Sequence, residues 1–453
     1  MLDIKLIRQD ATQVNAALAR RNDALNINAL LELDESRLAL LTQEETLRSQ
    51  RNGLNKQLAD LKKAGAAQDA VQAVIDATRD ISAQIKTLES QKDALDAQQH
   101  AILLALPNLP HPQTPQGKTE ADNVELKRWG DEFKTRVPEN ALPHWDIGTQ
   151  NGWLDFERGV KVSKSRFTTL RAEGAKLSRV LIQFMLETHL NHGDYEEVAP
   201  PFLVNRAAMT GTSQLPKFEA DMFATQDDLF LTPTAEVPVT NLYADEILDA
   251  SQLPLRFVAH TPCFRREAGS AGQDTRGLIR QHQFDKVELV KITTPEQADA
   301  EYARLIEDAE RILQLLELPY RVVQLCAGDL GFAAARCVDL EVWMPAQGVY
   351  REISSCSHFD VFQARRANLK YRPHAEAKAE LLHTINGSGL AVGRTLAAIL
   401  ENYQTADGRV AIPAALKPYF KQQTHLTPQQ TAAGASATSA ITAAAHATAG
   451  PAR

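Results

Sequence analysis

FRREAGSAGQDTRGLIRQHQFDKVELV, residues 264 to 290, is polar where a strand-rich core should be apolar. The spacing predicts a hairpin: Arg265 and Glu267 share one face of the outgoing strand, and Arg280, Phe284 and Glu288 share one parity on the return. Folding the two legs together gathers two guanidinium groups, an aromatic ring and two carboxylates. Arg presents a planar fork that suits phosphate, and Phe presents a face that suits a purine. A salt-bridged, exposed sheet face explains the same residues when the segment is read alone.

Around this hairpin the chain mixes apolar strands with amphipathic helices. Strands are predicted at residues 257–263, 283–292, 320–325, 338–343 and 349–354, and long helices at 167–192 and 299–318. Few tight hairpins and no strict strand-helix alternation point to an α+β domain, an antiparallel sheet flanked by helices.

Two further segments carry chemistry. In YREISSCS, residues 350 to 357, Glu352, Ser354 and Ser355 offer hard oxygen ligands for a magnesium ion bridging phosphates. In NGSGLAVGRTLAAILENY, residues 386 to 403, a Gly cluster is read as opening an apolar helix with Arg394 in its first turn, where the helix N-terminus favours anionic oxygens. The spacing is GxGxxxG, not the GxGxxG of a dinucleotide turn, and too little chain follows for the second strand of such a unit. Glycine packing at a helix start is the structural alternative.

Upstream the character changes. Over residues 33–102 Pro is absent, and apolar residues recur at alternating steps of three and four. Val71, Val74, Thr78, Ile81, Ile85, Leu88, Lys92, Leu95, Gln99 and Ile102 mark one seam; Leu40, Leu47, Leu54, Leu58 and Leu61 mark another, interrupted by Arg37, Glu44 and Arg51. A 3.5-residue repeat keeps a seam facing a partner helix. With KKAGAAQD between the halves, the reading is an antiparallel coiled-coil hairpin of about 45 Å per arm, too long to fold back as an ordinary core. LPNLPHPQTP, residues 106 to 115, ends it. The domain expectation is therefore 1–108 with its arm at 33–102, then 109–423, then a tail at 424–453 whose Ala/Thr/Ser/Gln composition predicts disorder.

Composition sets bounds. The chain has 453 residues and a formal net charge of -8, against a protein that coats nucleic acid indiscriminately. The arm is a local exception: Arg48, Arg51, Lys56, Lys62 and Lys63 against Asp60 give a net +4 between Leu47 and Lys63. The four cysteines lie far apart, so reduced thiols in a cytoplasmic protein are expected and no zinc site is. No run approaches the roughly 20 apolar residues that cross a bilayer, and the N-terminus lacks signal-peptide features.

The combination resembles the seryl-tRNA synthetases of bacterial type, within the class II aminoacyl-tRNA synthetases, along nearly the whole chain up to the tail. FRREAGSAGQDTRGLIRQHQFDKVE, LTPTAEVP, EISSCS and NGSGLAVGR stand in the family's order behind a coiled coil. The resemblance implies ATP-dependent activation of L-serine and transfer to tRNA(Ser), with tRNA(Sec) as a further substrate, by a homodimer whose motif 1 counterpart is GDYEEVAPPFLV, residues 193 to 204. It implies Arg265 on the α-phosphate, Glu267 on the adenine amino group, Phe284 stacked on the base, and Arg280 and Arg394 on the outer phosphates. Arg265, Arg280 and Arg394 are the implied catalytic set. Glu352 and Ser355 match the magnesium ligands, and Arg266, Ile353 and Ser354 join the ATP site. Thr234, Ala235, Glu236, Arg265, Glu288, Asn386 and Ser388 form the implied serine site. The basic arm residues and Arg276 are the implied tRNA contacts, reading RNA backbone and shape.

Neither step calls for an enzyme nucleophile: no Ser/His/Asp or Cys/His signature is found, and His260 and His282 read as strand or substrate-positioning residues. Gln273 stands where family members often carry Arg, which puts one acceptor-stem contact in doubt. Two rivals remain: a synthetase-like ligase that loads an amino acid onto a carrier protein, and a non-enzymatic scaffold. The scaffold predicts broken phosphate-binding positions, whereas Arg265, Arg280, Glu352 and Arg394 are all intact.

Overall fold

The structure is a computed structural model, and it describes residues 1–21, 27–268 and 276–429. Gln273 lies outside the described residues. The chain divides into two compact units, Met1–Leu109 and Pro110–Arg453.

In the first unit α1 (Asn28–Lys63) and α2 (Gln68–Ala105) form the antiparallel hairpin, joined through Gly65 at φ +63°. Glycine reaches this left-handed backbone without the steric penalty a Cβ incurs. Along α2 every residue of the predicted seam is buried or half-buried, with Val74, Ile85 and Gln99 the deepest. Two of the three polar residues that interrupt the other seam, Arg37 and Glu44, pair across it. Glu44, 5% exposed, meets Lys92 at 3.4 Å and Arg48 at 2.7 Å, while Arg37 pairs with Asp96. Buried charges that pair only in one alignment fix the register of a seam that Leu alone would leave free to slide.

In the second unit an eight-stranded sheet is built from β1 (Val124–Trp129), β2 (Glu196–Glu197), β3 (Leu255–Phe264), β4 (Gln283–Thr293), β5 (Tyr320–Gln324), β6 (Arg336–Met344), β7 (Val349–His358) and β8 (His383–Ala391). Its order is β1-β5-β6-β7-β8-β4-β3-β2, antiparallel except for the two-residue β2, which runs parallel to β3. One face carries α3 (Ala172–His192), α4 (Ala298–Leu315) and α5 (Val392–Asn402), whose Leu181, Leu305 and Leu396 join Val287, Leu289 and Leu340 in a single apolar cluster. Alternation along β4 explains the rest. Val287 and Leu289 face these helices, and Phe284, Lys286 and Glu288 face the other way, into a cavity.

Three local expectations are corrected. Asn386, Gly387, Ser388 and Gly389 do not open a helix; they lie in β8, and α5 starts only at Val392. A Cβ on Gly387 would sit 2.6 Å from Leu305 and one on Gly389 would sit 2.5 Å from the His189 ring, so these glycines serve strand-helix packing. Arg265 and Glu267 follow the end of β3 at Phe264, and Arg280 precedes the start of β4 at Gln283. Order also runs past Thr424: Leu426 is 2% exposed, the Trp153 indole N–H donates to the Thr427 carbonyl over 3.1 Å, and Gln429 N–H donates to the Asn151 carbonyl. One buried leucine, the Trp153 and Gln423 side chains and main-chain bonds hold this segment, which composition does not register; residues 430–453 lie outside the described residues.

Candidate active site

A cavity of about 690 Å³ opens on the opposite face of the sheet, within the range of small-molecule sites. Thr234, Glu236, Arg265, Glu267, Arg280, Phe284, Glu288, Glu352, Ile353, Ser355, Asn386, Ser388 and Arg394 all line it. Residues more than 150 positions apart in sequence therefore converge on one volume.

At one end Arg265, Glu267, Arg280 and Phe284 gather. The Arg265 guanidinium lies 5.2 Å over the Phe284 ring, and its Nε donates to the Pro233 carbonyl over 3.3 Å. A stacking base therefore needs the opposite face of that ring. Arg280 Nη1 donates to Glu267 Oε2 over 3.3 Å. Beside them Arg394, in the first turn of α5, donates from Nη1 to the Glu352 carbonyl over 2.6 Å and from Nε to the Ile279 carbonyl over 3.3 Å.

Glu352 and Ser355 are three residues apart on β7, yet both line the cavity. The cause is a β-bulge: Leu340 pairs with Ser354 and Glu341 with Glu352, leaving Ile353 as an extra residue that reverses the parity beyond it. The same bulge corrects one expectation, because Ser354 turns to the opposite face, 1% exposed, where its hydroxyl donates to the Ser388 carbonyl over 2.7 Å. The Arg394 guanidinium is the first cause holding the Glu352 carboxyl below its ordinary range. Asp339, cross-strand from Ser355, is pushed up, first by burial and then by the Glu352 charge.

At the other end Glu236, 7% exposed, receives the Gln363 amide N–H over 2.6 Å, and the Thr384 hydroxyl donates to the Gln363 amide oxygen over 2.7 Å. Burial, reinforced by the Glu288 charge, raises the Glu236 carboxyl to about 7.

Some expected residues lie elsewhere. The Arg266 guanidinium sits 5.2 Å over the Phe223 ring, outside the cavity lining, and Ala235 is fully buried in a neighbouring apolar cluster. Each is next in sequence to residues that line the cavity, but its own side chain is directed elsewhere. His260 Nε2 meets Asp285 at 2.9 Å and His282 Nδ1 meets the Arg265 carbonyl at 2.9 Å. On the arm, Lys56, Lys62 and Lys63 are exposed and Arg51 is half-buried, but the Arg48 charge is matched by Glu44 and Glu89 at 2.7 and 2.6 Å. Arg276 is exposed in the second unit.

Lys286 and Gln363 were not foreseen. Lys286 has the same parity as Phe284 and Glu288, a signal the sequence carries; Gln363, fully buried, has none. Outside the cavity lining, His358, Asp360 and His383 bring possible metal-ligating atoms within 4.8 Å of one another. Arg336 Nε lies 3.2 Å from His358 Nδ1, and His358 and His383 share a 3.1 Å hydrogen bond, so the network is satisfied without an ion.

Among the described residues no helix is long and apolar enough to cross a membrane. Two family models match: the seryl-tRNA synthetase N-terminal domain over residues 1–110, and the class II tRNA synthetase core domain for G, H, P, S and T over residues 217–403. The chain is 52% identical to the serine--tRNA ligase of Trichlorobacter lovleyi over 424 residues, 93% of this chain and 98% of that one. It is 54% identical to the serine--tRNA ligase of a Synechococcus species over 426 residues, covering 93% and 97%. The crystal structure of Pyrococcus horikoshii seryl-tRNA synthetase complexed with ATP superposes with a TM-score of 0.88 at 36% identity, covering 95% of this chain and all of that one.

Proposed function

The chain belongs to the seryl-tRNA synthetase family, and from that premise we propose how its cavity divides the work of a serine--tRNA ligase. ATP and serine react first: a serine carboxylate oxygen bonds to the α-phosphorus, the bond to the β-phosphate oxygen breaks, and seryl-adenylate and pyrophosphate form. A hydroxyl of the terminal tRNA ribose then attacks the acyl carbon, and AMP leaves. The convergence of Arg265, Arg280 and Arg394 with Phe284 in one cavity carries this reading.

Arg265 takes the α-phosphate and meets the charge that grows as the carboxylate attacks, an interaction stronger in the transition state than in the ground state. Arg280 and Arg394 hold the outer phosphates, Glu267 reads the adenine amino group, and Phe284 stacks on the base. Glu352 and Ser355 suit Mg2+: the bulge brings two hard oxygen donors to one face of a cavity lined by arginines. Mg2+ bound there would neutralise phosphate charge. Thr234, Glu236, Glu288, Asn386 and Ser388 form the serine pocket, whose buried acceptors are left unpaired by alanine and so reject it.

The exposed lysines of α1, with Arg51 and Arg276, contact tRNA(Ser), and tRNA(Sec) as a further substrate. The enzyme acts as a cytoplasmic homodimer, with residues 193 to 204 in its interface. The deciding experiment offers radiolabelled serine, ATP, tRNA and a phosphopantetheinyl carrier protein together. Label on tRNA alone is expected; label on the carrier would favour the carrier-loading ligase.

A further inference from the structure

Lys286 lies at the midpoint of the three β4 side chains that face the cavity, about 6.7 Å along the strand from Phe284 and from Glu288. It is 7% exposed, and its ammonium stands 2.6 Å from Glu288 Oε2. That contact lacks hydrogen-bond geometry: Glu288 Oε2 is buried with no donor among the described residues aligned on it. A carboxylate 2% exposed, lining a cavity and short of an aligned donor is costly unless something else meets it. The Lys286 charge also reaches across the cavity, contributing to the lowering of Glu352 and opposing the rise of Glu236.

A buried cation beside a buried anion, both lining one cavity, is the electrostatic complement of a zwitterion. An isolated charge entering such a place would bury an unmatched unit of charge, whereas a zwitterion inserted between the two keeps both matched. Resting on the serine-pocket reading above, we propose that Lys286 and Glu288 are an ion pair that the amino-acid substrate splits. The substrate ammonium replaces the Lys286 ammonium on Glu288, and the released Lys286 ammonium takes the substrate carboxylate. Lys286 then holds the nucleophilic carboxylate on the strand position between the base-stacking ring and the side chain that fixes the amino group. The pair also selects against substrates that lack either charge.

L-Serinamide keeps the ammonium and hydroxyl but not the carboxylate charge, so it isolates the Lys286 contribution. Calorimetric Kd values for L-serine, L-serinamide and ATP should be compared in the native enzyme, Lys286→Met and Lys286→Arg. In Lys286→Met, serine binding should weaken by about tenfold or more, the scale of one charge-assisted hydrogen bond, while serinamide changes by less than about threefold. Lys286→Arg should recover part of the serine affinity, and ATP affinity should hold in both variants. Equal loss for serine and serinamide would overturn the proposal, because Lys286 would then act only by holding Glu288 in place; unchanged serine affinity would overturn it too. Should Lys286→Met fail to fold, Lys286→Gln, which keeps a hydrogen-bonding tip, supplies the same comparison. Failure of the serine-pocket reading itself looks different: the native enzyme would not bind serine.

Discussion

Arg394 Nη1 donates to the main-chain carbonyl of Glu352 over 2.6 Å and lies 3.4 Å from that residue's carboxylate, tying the first turn of α5 to the bulged strand β7. One guanidinium thus orients the two segments assigned to the outer phosphates and the metal. Arg394→Ala should lower ATP-pyrophosphate exchange by about 100-fold or more, through loss of charge-assisted phosphate contacts. Far-ultraviolet circular dichroism should stay native. Exchange within a few-fold of the native rate would remove Arg394 from the site.

Arg265→Ala should abolish adenylate formation while leaving the fold intact. Among the described residues its Nε donates to the Pro233 carbonyl over 3.3 Å, a contact whose loss costs about 1 kcal/mol, and its guanidinium lies over the Phe284 ring. Rapid-quench measurement of seryl-adenylate, alongside a thermal midpoint, checks both halves of the statement. Normal exchange would refute the assignment of this arginine.

The pH dependence should follow Glu236. Its carboxyl is raised from the usual 4.5 to about 7, first by burial and then by Glu288, so its proton is retained on folding through that window. Below the ordinary value both states are protonated and the full stability is present; it is lost as pH rises towards 7, where folding holds a charge in a buried place. A thermal midpoint that falls between about pH 5 and pH 8 should fall less in Glu236→Gln. Ionised Glu236 also favours an incoming ammonium, so the native KM for serine should drop over that rise and the variant should not show the drop.

Sequence alone disclosed the arm, most of the strands and the arginines that converge on the cavity, because each rests on periodicity or on a motif. It did not disclose geometry that depends on long-range register. The bulge at Ile353 decides that Ser355 and not Ser354 joins Glu352, and it exists only relative to β6. The glycines at 387 and 389 look like a helix start until Leu305 and His189 are found packed against them. Gln363 supports Glu236 from 127 residues away, a partnership with no local signature.

Within the arm, Lys92→Ala should leave Glu44 with Arg48 as its remaining partner among the described residues, on a helix seam where it is 5% exposed, and lower the midpoint of chemical denaturation. The apolar pair Glu44→Leu with Lys92→Leu should be neutral or stabilising, since it removes two desolvated charges together. A double variant less stable than the single one would contradict the pairing.

Replacing residues 40–95 with a short Gly-Ser linker should spare serine activation and cripple transfer to tRNA. The described residues that line the cavity belong to the second unit, whereas the exposed lysines of α1 are removed. An unchanged charging rate would discard the arm as a tRNA contact.

The most direct test is ATP-pyrophosphate exchange by the native enzyme with each of the twenty amino acids supplied singly. Exchange driven by serine, with alanine and threonine far below it, is the result this arrangement of arginines and buried carboxylates predicts. Exchange driven equally by another amino acid, or by none, would contradict it.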